Sequence, residues 1–346
     1  MVDLHETARR VRSRWTHRLQ SLPILALNVH TACNCRCVMC DIWMANARNR
    51  EIGLDELSRH VDAIRRLRVR RVMLTGGEPL LHRNLWALCG LLRAEGIRIT
   101  LVTTGLLIGR HVDDVAGSID ELVVSIDGAP EVHDAIRRVH GGFDRIAHGL
   151  GLLNNHGTRP RIVARSVVQR ANHARLAETI EAVRAVGVDC LSFLAADVSS
   201  PAFNRPTPWT TDRQAEIALS RDHVMALAAA IGEAEVRCDE ALQSRFIVGG
   251  LEALWRIYDY YRALADVRGF PRVTCNAPWT SAVMEPGGAL RPCFFHPPYA
   301  VAAGLALDQA LNAPEAVAFR RGLDVHGDRT CQRCVCTLSV APWRDV

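Results

Sequence analysis

From about residue 24 the chain alternates short apolar runs with longer amphipathic ones, and this alternation limits the fold more than any other feature. Residues 24–30, 69–75, 97–104, 121–127, 161–168 and 190–196 predict buried strands. Between them, residues 54–67, 84–96, 143–157 and 174–187 carry helical apolar spacing, with a weaker helix near 107–116. Strand-then-helix alternation predicts an α/β fold with a parallel sheet and right-handed crossovers. Periodicity alone leaves open whether six such units curl into a partial barrel or lie flat as a doubly wound sheet. In either case reactive residues belong at the carboxyl ends of the strands.

Composition removes several function classes. All 42 basic residues are arginine. A chain without lysine can form no Schiff base with pyridoxal phosphate and no lysine-bearing phosphate loop. The net charge of +5 is modest, the arginines are scattered along helices and aromatic residues make up only 5%, so no nucleic-acid surface is expected. No long apolar run suggests a membrane span, and the polar N-terminus lacks a secretory core, which predicts a cytoplasmic protein. Twelve cysteines are therefore expected to serve metal or redox chemistry instead of disulfides. They fall into two groups at opposite ends, while Cys89, Cys190 and Cys238 are read as buried small hydrophobes.

The first group follows the first strand: Cys33, Cys35, Cys37 and Cys40. Cys33, Cys37 and Cys40 give the spacing C-x3-C-x2-C, which can wrap a cubane and leave one iron open. A structural zinc loop is the competing reading, with Cys35 or His30 as a fourth ligand. Gly76-Gly77-Glu78-Pro79 follows the second strand. Paired glycines let the backbone approach a ligand, and Glu78 adds an acceptor for an ammonium group.

Together these segments resemble the radical SAM superfamily. The resemblance implies a partial (β/α)6 radical SAM barrel and a [4Fe–4S] cluster on Cys33, Cys37 and Cys40. The open iron would be chelated by S-adenosylmethionine (SAM), and Gly76, Gly77, Glu78 and Pro79 would hold its methionine group. Ser125 to Gly128 resemble the superfamily's fourth-strand motif, and His133, Asp134, Arg137 and Gly141 to Phe143 resemble the segment after it. Ser125, Arg137 and either Arg165 or Ser166 become candidate SAM contacts, with Thr103, Thr104 and Gly105 as weaker ones. Met39 stands where many members have an aromatic residue, and an apolar Met packs tolerably there. Cys35 is read as an inert neighbour.

The second group is Cys275, Cys293, Cys331, Cys334 and Cys336. Pro286, Gly287 and Gly288 predict a hairpin that carries Cys293 on its return strand. Four thiolates suit zinc on spacing alone. The segment resembles a Twitch domain, the shortened form of the SPASM extension. That implies a second [4Fe–4S] cluster on Cys275, Cys293, Cys331 and Cys334, with Cys336 a spectator. The spacing is similar to that of the Twitch enzyme 2-deoxy-scyllo-inosamine dehydrogenase, which implies that the auxiliary cluster takes up an electron as an alcohol is oxidised.

The expected organisation is an N-terminal helical extension (1–23), the radical SAM partial barrel (24–212), a helical linker region (213–269) and a small C-terminal cysteine-rich Twitch domain (270–346). The expected partners are a small-molecule or peptide substrate and a reductant such as flavodoxin or ferredoxin. Polar substrate candidates are Asp197, Asn204 and Arg205 in the 197–212 loop, and Asp239 and Glu240. Dehydrogenation of a small polyol, aminocyclitol or sugar is the favoured activity. Peptide crosslinking or epimerisation is the second reading, disfavoured by the short N-terminal segment, and a non-catalytic metal or electron-transfer protein is the third. A cobalamin-dependent methyltransferase and a molybdenum-cofactor type cyclase are not expected. The first would carry a further N-terminal domain, and the second a diglycine tail where this chain has Trp343-Arg344-Asp345-Val346.

Overall fold

A computed structural model describes residues 3–205, 207–266, 269–302 and 304–344. Residue 206 of the 197–212 loop and the last two residues lie outside the described residues. Six strands form the frame: β1 (Ile24–His30), β2 (Arg71–Gly76), β3 (Arg98–Thr103), β4 (Glu121–Ser125), β5 (Arg161–Val168) and β6 (Cys190–Ala195). Each pairs in parallel with the next in sequence. Consecutive order without a reversal settles the choice that periodicity left open. A doubly wound sheet needs a switch point in its strand order, whereas one-directional winding puts all helices on one face and leaves the other as a barrel interior. Fold and cysteine-rich C-terminal region are those expected.

The connecting helices bury one apolar stripe each. After α1 (Leu4–Thr16), α2 (Leu54–Ser58) and α3 (Val61–Arg66) replace the single helix expected over 54–67. The chain turns at Arg59–His60, which lets Ala63 and Ile64 bury beside Leu57. In α4 (Leu85–Ala94), Leu85, Leu88, Cys89 and Leu92 fall on one face. Next come α5 (Val112–Ser118), α6 (Pro130–Arg137), α7 (Gly142–Asn154) and α8 (Leu176–Ala185). Strand residues alternate between this helical layer, as Leu122 and Val124 do, and the interior, as Val123 and Val163 do. The amino end of the interior is closed by charge: Arg161 pairs with Glu121 at 3.0 Å, and Arg71 donates to the Thr100 hydroxyl at 2.9 Å.

Beyond β6 run α9 (Thr211–Ile217), α10 (Arg221–Arg237), α11 (Asp239–Gln243) and α12 (Gly250–Asp266). After α13 (Ala277–Thr280), strand β7 (Ser281–Met284) pairs in parallel with β1 on the side opposite β2. The turn at Gly287 and Gly288, both with positive φ, sends β8 (Ala289–Arg291) back antiparallel, followed by β9 (Ala300–Val301). Among the described residues nine strands make one sheet, ordered β6-β5-β4-β3-β2-β1-β7-β8-β9. Helices α14 (Leu307–Leu311), α15 (Pro314–Gly322) and α16 (Arg329–Gln332) complete the described chain. The N-terminal helix packs on this last part: Arg10 donates to the Arg344 carbonyl at 2.6 Å, and buried Arg320 to the His17 carbonyl at 2.7 Å. Among the described residues no helix is long and apolar enough to cross a membrane.

Candidate active site

The carboxyl ends of the six strands form one rim, and the cysteine loop leaves it directly from β1. Its main chain is held from two sides. The Asn46 amide accepts from the Cys33 N–H at 2.9 Å and donates to the Cys33 carbonyl at 2.8 Å. Across the loop, the Arg36 and Val38 N–H groups donate to the carbonyls of Arg137 and Ile136, at 3.3 and 3.0 Å. Cys35, Cys37, Met39, Ile136, Ala196, Val198 and Ile217 form an apolar shell, with Cys33 and Cys40 packed on it. The Ile42 N–H points at the Cys40 Sγ (3.5 Å), and the Arg137 guanidinium at the Cys37 Sγ (3.6 Å). Hydrogen bonding from Cys35, then the Arg137 charge, holds the Cys37 thiol below its ordinary range. Cys35 is pushed far up by its bonds to Cys33 and Cys37. Burial raises Cys40 to about 12.

The Gly76–Pro79 segment is built differently from its sequence reading. A Cβ on Gly76 would lie 2.3 Å from the His30 carbonyl oxygen, and one on Gly77 2.0 Å from that of Ala32. The close approach these glycines permit is thus to the start of the cysteine loop, sealed by Gly77 N–H to His30 O (2.7 Å) and Glu78 N–H to Ala32 O (2.8 Å). Glu78 is fully buried. Its carboxylate accepts from the Leu80 N–H (3.0 Å), the Thr103 hydroxyl (2.7 Å) and the Thr104 N–H (2.6 Å). Glu78 therefore ties β2 to β3, and Thr103 and Thr104 are its partners. Pro79 is buried at the start of a short 3-10 turn over Pro79–Leu81.

Ser125 ends β4 half-buried, on the face opposite Val124 and so toward the interior. Ser166 shares the parity of Ala164 and Val168, which pack on the helical layer. It is fully buried with an unpartnered hydroxyl, so Arg165 is the residue that turns inward on β5. Asp197 and Arg205 form a buried ion pair at 2.8 Å, which commits both to holding the loop. Asn204 stays exposed and donates to the Asp41 carbonyl at 3.2 Å. Asp239 and Glu240 lie away from the rim: the segment after α11 meets β6 at its amino end, Leu191 N–H to Phe246 O, and Glu240 pairs with Arg184 at 3.1 Å. A cavity of about 490 Å³ opens at the rim, lined by His30, Thr31, Gly76 and Gly77, by Arg48 and Arg50, by Ala202–Asn204, and by Glu285 and Arg291 of the β7–β8 hairpin.

The C-terminal cysteines are gathered by Asn276. Its N–H and side-chain amide donate to the Leu338 and Val340 carbonyls (2.8 and 2.7 Å), which draws the 331–340 segment beside Cys275. Asp328 caps α16 and accepts from the Cys331 N–H at 2.9 Å. Burial raises Cys293 to about 11 and pushes Cys331, Cys334 and Cys336 up, and Cys275 acts electrostatically on all four. The Arg165 charge also acts on Cys336, the exposed member of the five cysteines. One member was absent from the sequence reading: buried His296, whose Nε2 lies 3.4 Å from the Cys331 Sγ and 3.5 Å from Asp328. A lone histidine after Pro-Cys-Phe-Phe gave no spacing signal.

The model of the radical SAM superfamily matches residues 27–183. These residues are a radical SAM domain. The protein is 27% identical over 168 residues, 47% of this chain and 48% of its relative, to an AdoMet-dependent heme synthase of Methanosarcina barkeri. It is 30% identical over 178 residues to GTP 3',8-cyclase 1 of Mycobacterium tuberculosis, covering 48% of this chain and 49% of that one. The chain spans about half the length of the curated relatives it matches. In fold it is similar to Streptococcus suis SuiB bound to the precursor peptide SuiA, with a TM-score of 0.65 at 14% identity, covering 96% of this chain and 76% of that one.

The radical SAM loop also fits the group its family carries. Two N–H donors face the thiols of Cys37 and Cys40 within an apolar shell, the surroundings in which thiolate-held iron–sulfur clusters are stabilised. A single zinc ion would draw its sulfurs to within about 4 Å of one another. Among the described residues, the one group of three His, Cys, Asp or Glu ligand atoms within 4.8 Å of each other is His296, Asp328 and Cys331. Among the described residues, no three of the N-terminal thiols form such a group.

Proposed function

We propose that this radical SAM enzyme holds a [4Fe–4S] cluster on Cys33, Cys37 and Cys40, and a second, auxiliary cluster on Cys275, Cys293, Cys331 and Cys334 of a Twitch-type region. We further propose that it oxidises a small polar substrate, a polyol, aminocyclitol or sugar, by two electrons. The rim cavity is the observation that carries this reading. Its volume suits a small molecule, and its lining joins the cysteine loop, Gly76 and Gly77 to the hairpin leading to Cys293. Held by Cys33, Cys37 and Cys40, the first cluster would supply the electron for reductive cleavage of SAM, and the second, on Cys275, Cys293, Cys331 and Cys334, would take up one electron from the substrate, whose oxidation by two electrons would also release one hydrogen atom to the SAM-derived fragment and one proton to a protein base or water. Ser125 at the end of β4 and Arg165 on β5 are the SAM or substrate contacts favoured by their inward faces, and the backbone carbonyls near Gly76 and Gly77 take the methionine ammonium.

Arg48, Arg50, Arg291 and Glu285 give the cavity both signs of charge, which suits a substrate rich in hydroxyl and amino groups. Peptide modification is the second reading, supported by SuiB, whose fold this chain shares and which binds a precursor peptide. Anaerobic reconstitution decides the metal claims. The whole protein is expected to hold about eight irons, and the Cys33→Ala, Cys37→Ala, Cys40→Ala triple variant about four, with no SAM cleavage. Zinc bound tightly by the C-terminal cysteines overturns the auxiliary cluster. Turnover of a peptide and none of small polyols or aminocyclitols overturns the substrate class.

A further inference from the structure

Ile136 and Arg137 together grip the cysteine loop at three consecutive residues. At the end of α6, the carbonyls of Arg137 and Ile136 accept the N–H groups of Arg36 and Val38, which flank Cys37. Between those two bonds the Arg137 side chain reaches the Cys37 sulfur, with Nη1 3.6 Å from Sγ. The guanidinium is fixed in turn by Asp127, whose Oδ2 accepts from Nε at 2.6 Å. Asp127 is completely buried. Its Oδ1 accepts the Val167 N–H of β5 at 2.9 Å, and its carbonyl accepts the Asn172 amide at 2.8 Å. A path of short polar contacts thus runs from β4 and β5 through one ion pair to one sulfur.

We infer that Arg137 is a positioning residue for the N-terminal cluster, acting through Cys37, and not a contact to SAM. The inference rests on the proposal that Cys33, Cys37 and Cys40 hold that cluster. A guanidinium stays charged at every accessible pH, and its fork geometry serves Asp127 and the sulfur at once. An N–H donated to a ligating sulfur stabilises the extra electron of the reduced cluster, and the buried setting strengthens the effect. Asp127 offsets the charge that would otherwise be stranded in the interior. The pair therefore fixes where the loop sits and how readily its cluster accepts an electron. Arg→Lys is not conservative here, because an ammonium cannot bridge the carboxylate and the sulfur in one plane.

Two measurements test this on the reconstituted full chain. An EPR-monitored redox titration follows the cluster whose signal changes when SAM is added. In Arg137→Gln its midpoint is expected to move to more negative potential, with Arg137→Lys intermediate and the other cluster unmoved. Loss of iron from the N-terminal site alone in Arg137→Gln is also supporting. In wild-type protein grown with 15N-arginine, pulsed EPR of the reduced, SAM-responsive cluster is expected to show an arginine-nitrogen coupling that Arg137→Lys removes. An unchanged midpoint in an iron-replete Arg137→Gln, or no arginine coupling in wild type, overturns the inference. A wild-type protein that assembles no SAM-responsive cluster overturns the functional proposal instead, so the two failures read differently.

Discussion

Three donors meet the Glu78 carboxylate in a site closed to water, and the glutamate of the Gly-Gly-Glu-Pro segment is thereby a staple between strands. Glu78→Gln places an NH2 group against hydroxyl and amide donors. It is expected to lower the unfolding free energy by roughly 2–4 kcal/mol, read as a lowered Tm of the apo protein. Cys35→Ala is expected to keep all N-terminal iron, because Cys35 lies outside the C-x3-C-x2-C set of Cys33, Cys37 and Cys40. Loss of that iron would make Cys35 a ligand. His133 predicts an acid sensitivity. Burial first, then the Arg137 charge, pushes its pKa down to about 4, and the neutral ring accepts the Asp127 N–H at 3.2 Å. An unfolded chain takes up this proton near pH 6.5, the folded one only near 4. The contribution of His133 is thus complete above about pH 6.5 and is lost as pH falls toward 4, by about 3 kcal/mol. Denaturant melts of His133→Gln between those pH values should show a shallower loss than wild type.

Glycines and loops carry the next scale. Gly77→Ala drives a methyl group onto the Ala32 carbonyl and is expected to cost roughly 3 kcal/mol or more, measured by chemical unfolding. The 197–205 stretch is held by the Asp197–Arg205 pair, so Asp197→Asn is expected to cost about 3 kcal/mol and to speed proteolysis between residues 198 and 205. At this scale the sequence was a good guide to elements and a poor one to faces. All six strands were legible, and β5 falls on residues 161–168 as expected, because apolar runs bounded by glycine and polar residues survive in the fold. The helix of α6 was missed: Pro130 to Arg137 alternate charge and apolarity too briefly to show a stripe, yet this helix supports the cysteine loop. Ser166 was placed by its position in the chain, but a strand shows each neighbour to the opposite side, and the inward face belongs to Arg165.

Across the whole molecule, the two cysteine groups were readable as spacing, and their supports were not. Asn46, Asn276 and His296 carry no motif, and each matters through a contact elsewhere in the chain. The same holds for Asp197, Arg205, Asp239 and Glu240. Polarity in a loop or helix start drew attention to them, while burial of one pair and the amino-end location of the other pair remove them from the rim cavity. What composition excluded, a lysine-dependent cofactor or phosphate loop, follows from chemistry alone and needs no fold.

The pairing of β7 with β1 has a practical consequence. The strand that launches the first cysteine loop borrows its second neighbour from the C-terminal region, through four residue pairs from Ile24–Ser281 to Leu27–Met284. The C-terminal region is therefore no detachable cartridge. A version cut before residue 270 would bare the hydrogen-bonding edge of β1 and is expected to self-associate, visible by light scattering. Transplanting a cysteine-rich tail from a distant cousin would succeed only if the graft brought a strand in matching register. Shuffling such tails among enzymes of this kind is thus a problem of sheet carpentry before it is one of redox chemistry.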